Sequence, residues 1–133
     1  MDKRQEIGKL GEQVAGKYLL ENEYDIIEKN YRCNYGEIDI IAYDKPKEKR
    51  TLVFIEVKTR SNELFGEGIE AIDITKQKHI YKTAEYYLHK RNKENNNIRI
   101  DGIEVFLNGD KVTLKHYYNI IMENPYNKRK YIN

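Results

Sequence analysis

The chain has 133 residues, of which 39% are hydrophobic and 35% are charged, and its formal net charge is +2. This length suits one domain that buries a core without staples, and the single cysteine, Cys33, excludes an internal disulfide framework. No apolar run approaches the roughly 20 residues that span a bilayer, and the amino-terminal stretch lacks the apolar segment of a secretory signal. We therefore predict a cytoplasmic protein with no membrane partner, in which residues 1–122 form one domain and residues 123–133 form a basic, flexible tail.

The first predicted element is a helix from about Lys3 to Glu21. Its core-facing residues recur at helical spacing: Ile7, Leu10, Gly11, Val14 and Tyr18. Three glycines, Gly8, Gly11 and Gly16, lie inside it, and each costs about 0.5–1 kcal/mol relative to alanine. Gly8 and Gly16 flank Glu12 on the helix surface, so they would let another backbone or a substrate approach its carboxylate. Alternatively, the glycines only permit tight packing of the helix on a sheet, and Glu12 is solvated.

A first strand from Tyr24 to Arg32 precedes two further predicted strands, Gly36 to Ala42 and Leu52 to Lys58. Apolar residues alternate along both, and we expect each of two sets to share one face: Ile38, Ile40 and Ala42, and Val53, Ile55 and Val57. Charged residues fall on the opposite faces, where Leu52 and Phe54 also lie: Asp39, Glu56 and Lys58.

The polar segment 43–50 predicts an antiparallel hairpin with a long tip between these two strands. Its length places Asp39 roughly opposite Glu56. Two like charges about 5 Å apart destabilise a sheet, so we expect a compensating group.

The remaining elements follow an acidic segment, residues 61–73, which we expect to form a mobile loop. A second helix runs from about Thr75 to Arg91 and carries five basic residues: Lys76, Lys78, Lys82, Lys90 and Arg91. They would either track a phosphate backbone or form the solvated face of the helix. A fourth strand, Ile98 to Leu107, turns at Asn108-Gly109 into a fifth, Lys111 to His116, and residues 117–122 either extend that strand or form a helical turn.

Three groups could compensate the facing carboxylates: a shared proton, a salt bridge to Lys58 or Arg60, or a hard cation. Oxygen ligands favour Mg²⁺ or Mn²⁺ over zinc. A metal bound there would suit phosphodiester hydrolysis, with Lys58 holding the attacking water or offsetting charge in the transition state. The alternatives are acid–base work by a carboxylate pair, as in glycosidases, and a strand surface in which Asp39 simply pairs with Lys58.

Three motifs together carry a resemblance to a known family: Gly8-Lys9-Leu10-Gly11-Glu12, Gly36-Glu37-Ile38-Asp39-Ile40-Ile41-Ala42 and Phe54-Ile55-Glu56-Val57-Lys58-Thr59-Arg60. They look like the YraN-type family of bacterial proteins, which resembles the archaeal Holliday-junction resolvases within the PD-(D/E)XK, restriction-endonuclease-like superfamily. The resemblance implies an α/β fold with an αβββαβ core, a mixed five-stranded sheet flanked by two main helices. It also implies a catalytic set of Glu12, Asp39, Glu56 and Lys58.

The same resemblance makes Asp39, Glu56 and Glu12 metal ligands together with the carbonyl of Val57, and Lys76 or Gln77 an assisting residue. Pro-Asp, the usual first half of the motif, is absent, and Glu37-Ile38-Asp39 stands in its place.

We therefore predict a Mg²⁺-dependent endonuclease, with Mn²⁺ as a substitute, that cleaves DNA, including branched or structured DNA. The alternative is a nucleic-acid-binding or assembly module with an inactive nuclease fold. We expect five residues to contact nucleic acid: Arg60, Lys76, Gln77, Lys78 and Lys82. A homodimer is expected only by analogy with the resolvases.

Overall fold

Five strands form one mixed sheet in the order β1-β2-β3-β4-β5. The computed structural model describes residues 2–44, 50–61, 74–121 and 124–125. Its elements are α1 (Lys3–Glu21), β1 (Asp25–Cys33), β2 (Gly36–Asp44), β3 (Thr51–Ser61), α2 (Ile74–Lys90), β4 (Asn97–Asn108) and β5 (Lys111–Tyr117). The strands β3 and β4 are parallel and the other neighbouring strands are antiparallel. The predicted αβββαβ order, the mixed five-stranded sheet and the two main helices are confirmed.

The start of α1 is fixed by a capping box. The side chain of Asp2 accepts a hydrogen bond of 2.8 Å from the backbone N–H of Gln5, whose side chain accepts one from the N–H of Asp2. Further along, Gly11 packs on β3 so closely that an added Cβ would overlap the side chain of Thr59. Leu10 is 47% exposed, so its predicted place in the core is wrong. The buried side of α1 includes the small residues Gly11, Ala15 and Gly16 instead, which lets the helix lie close to the sheet.

Two hydrophobic clusters cover the two faces of the sheet. The α1 cluster contains Ala15, Leu19, Tyr24, Ile40, Ala42, Val53, Ile55, Ile103 and Val105, and the α2 cluster contains Ile38, Ile41, Leu52, Phe54, Ile80, Ala84, Tyr87, Leu88 and Ile100. The predicted face of β3 is confirmed. In β2, Ile38 packs with the α2 cluster rather than with Ile40 and Ala42, so the predicted alternation is wrong at that residue. It breaks at Asp39, where β2 also stops pairing with β3.

The ends of the chain and the long connections are only partly described. The Asn108-Gly109 turn is present, with Gly109 at φ 61°, and Tyr117 extends β5 instead of starting a helical turn. Pro125 is buried, while the rest of the predicted tail and all but Ser61 of the predicted acidic loop lie outside the described residues. Among the described residues, no helix is long and apolar enough to span a membrane.

Candidate active site

The candidate site lies in a fork between the two central strands. Backbone pairing of β2 with β3 runs from Asp44 and Thr51 to Ile40 and Ile55 and ends there, although both strands continue. Beyond this point β2 stays paired with β1, and β3 stays paired with β4. The next residues on the two strands are Asp39 and Glu56, so the predicted opposition of these carboxylates agrees with the register.

The side chain of Asp39 replaces part of the missing strand pairing. Its Oδ2 accepts a hydrogen bond of 2.7 Å from the backbone N–H of Val57, which holds the carboxyl inside the fork. Asp39 and Glu56 are only 9% and 8% exposed. Burial, followed by the charge of Glu56 and a side-chain hydrogen bond with it, raises the pKa of Asp39 to about 8. Without a metal ion, Asp39 therefore keeps its proton at neutral pH, and this removes one of the two negative charges of the pair.

A lysine from α2 provides the second compensation. Lys76 lies in the first turn of α2, and its Nζ is 3.0 Å from Oε2 of Glu56. Burial lowers the pKa of Lys76, but the charge of Glu56 and their hydrogen bond outweigh that effect and raise it. The salt bridge that the sequence analysis offered as one of three alternatives came from Lys58 or Arg60 instead. Lys58 is exposed and is in no ion pair with Asp39 in the described residues, and Nε of Arg60 lies 3.6 Å from Oε2 of Glu104.

Glu12 reaches the same site from α1. Its charge contributes to the raised pKa of Asp39, and its own pKa is raised by burial first and then by the charge of Glu37. Of the two glycines predicted to flank Glu12, Gly8 has open space where a Cβ would be, which agrees with a clearing there. A Cβ on Gly16 would lie 3.3 Å from the Nζ of Lys29, the flexible end of a long side chain.

Asn30 is a site residue that the sequence analysis missed. Its side chain favours the ionised form of Glu12 and so opposes the effect of burial on the pKa of that group, and its φ of 53° places it in the left-handed region within β1. Asparagine is a poor strand former that tolerates this conformation better than most residues. Its position in the middle of a predicted strand was the available signal.

The predicted metal ligands are only partly brought together in the structure. In the described residues, no three His, Cys, Asp or Glu side chains come near enough to hold a metal as one group. The structure brings Asp39 and Glu56 together, and the backbone N–H of Val57, the residue after Glu56, donates to Asp39. Glu12 lies near enough to act through its charge.

Of the five predicted nucleic-acid contacts, Arg60 lies on β3 and the other four lie in the first half of α2. Lys76 forms an ion pair with Glu56. The next two residues, Gln77 and Lys78, are partly buried, and Nζ of Lys82 is 5.2 Å from the centre of the Tyr35 ring. At the far end of the helix, Arg91 forms an ion pair of 3.0 Å with Glu28. The five basic residues of this segment therefore do not form one continuous stripe.

A mixed sheet with a buried carboxyl pair in the fork of its central strands defines an α/β protein with an acidic candidate active site. The chain belongs to the uncharacterised protein family UPF0102, whose family model matches residues 11–105. This confirms the predicted family. The matched segment contains Glu12, Asp39, Glu56 and Lys58.

Relatives cover nearly the same length. The chain is 43% identical over 115 residues to a UPF0102 protein of Caldanaerobacter subterraneus, covering 86% of this chain and 91% of the relative. It is 44% identical over 108 residues to a UPF0102 protein of Caldicellulosiruptor saccharolyticus, covering 81% and 87%. A UPF0102 protein of Clostridium botulinum is 47% identical over 116 residues, covering 86% and 88%.

Proposed function

We propose that the protein is a divalent-cation-dependent endonuclease that hydrolyses phosphodiester bonds in DNA. The observation that carries the proposal is the buried pair of Asp39 and Glu56 in the fork between β2 and β3. Two adjacent buried carboxyl groups cost stability when both are ionised, and the raised pKa of Asp39 is in the direction that this cost requires. Such a cost is expected at a functional site, where charge is held ready for a ligand.

The donor atoms in the fork fit Mg²⁺ or Mn²⁺. They are the carboxylates of Asp39 and Glu56, and the backbone carbonyl of Val57 would be a third ligand. Mg²⁺ is usually bound through one or two carboxylates, waters and substrate phosphate oxygens. A third acidic ligand is therefore not required. A cation bound there would polarise a phosphate and lower the pKa of a bound water.

The other residues of the site complement these ligands. Lys58 is exposed two residues beyond Glu56, so its ammonium can offset negative charge on a phosphate as the transition state forms. Glu12 acts on Asp39 through its charge and would add to the acidic surroundings of a bound cation. Lys76 places a positive charge beside Glu56 at the start of α2.

A second candidate is a nucleic-acid-binding or assembly module that does not cleave. Lys76 favours it, because its ammonium compensates Glu56 without any metal. The two candidates differ in whether a divalent cation ever takes the place that the lysine and the proton of Asp39 now fill.

Cleavage assays test the proposal. Purified protein is incubated with duplex, single-stranded, flap and four-way-junction DNA in millimolar Mg²⁺ or Mn²⁺. We expect at least one substrate to be cut, and Asp39→Asn, Glu56→Gln and Lys58→Ala each to lower the rate by about 100-fold or more. Asp110→Asn and Lys111→Ala are matched controls, because they change the same charges at the exposed β4–β5 turn.

The outcomes separate the candidates. Cutting that persists in all three site variants would come from a contaminant or from another site, and it would refute the proposal. Binding of DNA without cutting of any substrate would favour the second candidate.

A further inference from the structure

Two adjacent tyrosine side chains with a lysine at each end form a row along the flank of α2, next to the β1–β2 turn. Tyr35, in that turn, packs edge-on against Tyr86 of α2, with ring centres 5.6 Å apart and ring planes at 63°. Nζ of Lys82 lies 5.2 Å from the centre of the Tyr35 ring, and Nζ of Lys90 lies 5.8 Å from that of Tyr86. We call Lys82, Tyr35, Tyr86 and Lys90 the tyrosine row.

The row has the chemistry of a stacking site for bases. Tyr35 keeps 43% of its surface exposed despite its contacts with Tyr86 and Lys82, whereas the core tyrosines Tyr24 and Tyr87 are 7% and 1% exposed. An exposed aromatic ring beside ammonium groups suits a nucleobase with its flanking phosphates, because any base can stack on the ring while the lysines attract the backbone.

The position of the row relative to the candidate site is fixed by packing. Gly36, which follows Tyr35, lies against α2, and a Cβ added to it would be 3.2 Å from Oγ1 of Thr83. Its φ of 150° also disfavours other residues there. The turn is thereby anchored on the same helix whose first turn reaches Glu56 through Lys76.

The distance along α2 between the candidate site and the tyrosine row can be spanned by one DNA strand. Tyr86 lies ten residues beyond Lys76, which at a rise of 1.5 Å per residue corresponds to about 15 Å along the helix axis. One phosphate of a DNA strand can therefore lie at the fork while a base a few nucleotides away stacks on the tyrosine row.

We propose that the tyrosine row binds an unpaired base in a single-stranded segment of DNA beside the carboxyl pair. In a duplex both faces of each base are covered by its neighbours, so the ring of Tyr35 can stack only on a base that has left the helix. The inference rests on the proposed function for its place in a reaction, and it narrows the substrate class to DNA with a single-stranded segment near the cleaved bond.

Binding measured without metal tests the row separately from cleavage. The fluorescence anisotropy of a labelled 12-nucleotide oligo-dT and of a blunt 12-base-pair duplex is recorded in EDTA against the full chain. We expect Tyr35→Leu to weaken binding of the oligo-dT by about tenfold and to change duplex binding little. Lys82→Gln should lower the slope of affinity against salt by about one for the oligo-dT.

Matched controls come from elsewhere on the surface. Tyr118 is 56% exposed and stacks on His116, which contacts Tyr18 of α1 on the other side of the sheet, so Tyr118→Leu removes a comparable ring away from the row. Lys111→Gln removes a lysine at the β4–β5 turn. Circular dichroism and melting temperature show that each variant is folded.

Three results would overturn the inference: no binding of oligo-dT by the natural sequence, equal losses in Tyr35→Leu and Tyr118→Leu, or equal losses on oligo-dT and duplex. If Tyr35→Leu binds oligo-dT normally while the natural sequence cuts DNA, the proposed role of the tyrosine row is refuted and the proposed nuclease function is supported. If the row binds oligo-dT but no substrate is cut in Mg²⁺ or Mn²⁺, the proposed nuclease function is refuted and the role of the tyrosine row in binding is supported.

Discussion

Replacing Asp39 with asparagine should stabilise the metal-free protein, and the gain should grow with pH. Burial and the charge of Glu56 raise the pKa of Asp39 to about 8, so the ionised form is the costly one. Asparagine has nearly the shape of a protonated aspartic acid. Its carbonyl can accept the hydrogen bond of 2.7 Å that the N–H of Val57 now donates to Oδ2.

The sign and the size of this stabilisation follow from the difference in the pKa of Asp39 between the folded and unfolded states. In the unfolded chain Asp39 ionises near 3.8, whereas the folded protein keeps the proton up to about 8. Stability associated with this group is therefore fully present below 3.8, declines as the pH rises toward 8, and is constant above that value. At about 1.4 kcal/mol per pH unit, the advantage of Asp39→Asn should grow by up to about 4 kcal/mol between about pH 5 and about pH 8.

This figure is an upper limit, because water entering the fork and the ammonium of Lys76 both lower the cost of ionisation. Urea unfolding in EDTA at a series of pH values measures the difference, provided that the m-values of the two proteins agree. Asp110→Asn, at an exposed turn, serves as the control. A free-energy difference between Asp39→Asn and the natural sequence that stays constant over this pH range would refute the reasoning.

Three further predictions concern the surroundings of the pair. Gly11→Ala should destabilise the protein by about 1–3 kcal/mol in urea unfolding, because its Cβ would overlap Thr59, whereas Gly8→Ala, with open space at its Cβ, should stabilise it by about 0.5–1 kcal/mol; the opposite order would contradict the packing of α1 on β3. Asn30→Ala should be less stable than Asn30→Gly by about 1 kcal/mol, since φ is 53°, and equal melting curves would count against a left-handed residue there. Lys76→Met should bind Mn²⁺ more tightly in a calorimetric titration, because the competing ammonium is gone; weaker binding would mean that this lysine does not occupy the place of a cation.

The carboxyl pair could be found from the sequence because its signals are local. Period-two alternation identifies both strands, and the length of the polar segment between them sets the register to within a residue or so. The observed pairing of Ile40 with Ile55 agrees with that register and places Asp39 beside Glu56. Both steps need only the hairpin and no knowledge of the rest of the chain.

The fork and its supports could not be derived in this way. The end of pairing after Ile40 depends on β2 following β1 while β3 follows β4, which is a property of the whole sheet. The contact of Lys76 with Glu56 depends on where α2 starts after a connection of more than ten residues. Sequence spacing suggested an ion pair across the hairpin, from Asp39 to Lys58 or Arg60, whereas the observed ion pair to Glu56 comes from Lys76 of α2.

The contrast between two buried acids supports a functional reading of the fork. Asp101, on β4, is buried even more completely than Asp39. Burial alone would raise its pKa, yet that pKa is lowered, because the hydrogen bonds from His116 and Arg99 outweigh the effect of burial. Nε of Arg99 is 2.9 Å from one oxygen of Asp101, and Nε2 of His116 is 2.8 Å from the other. The chain thus satisfies one buried carboxylate with its own cationic and polar partners. At Asp39 the neighbouring charge is a second carboxylate, Glu56, and the resulting cost is one that a bound divalent cation would remove.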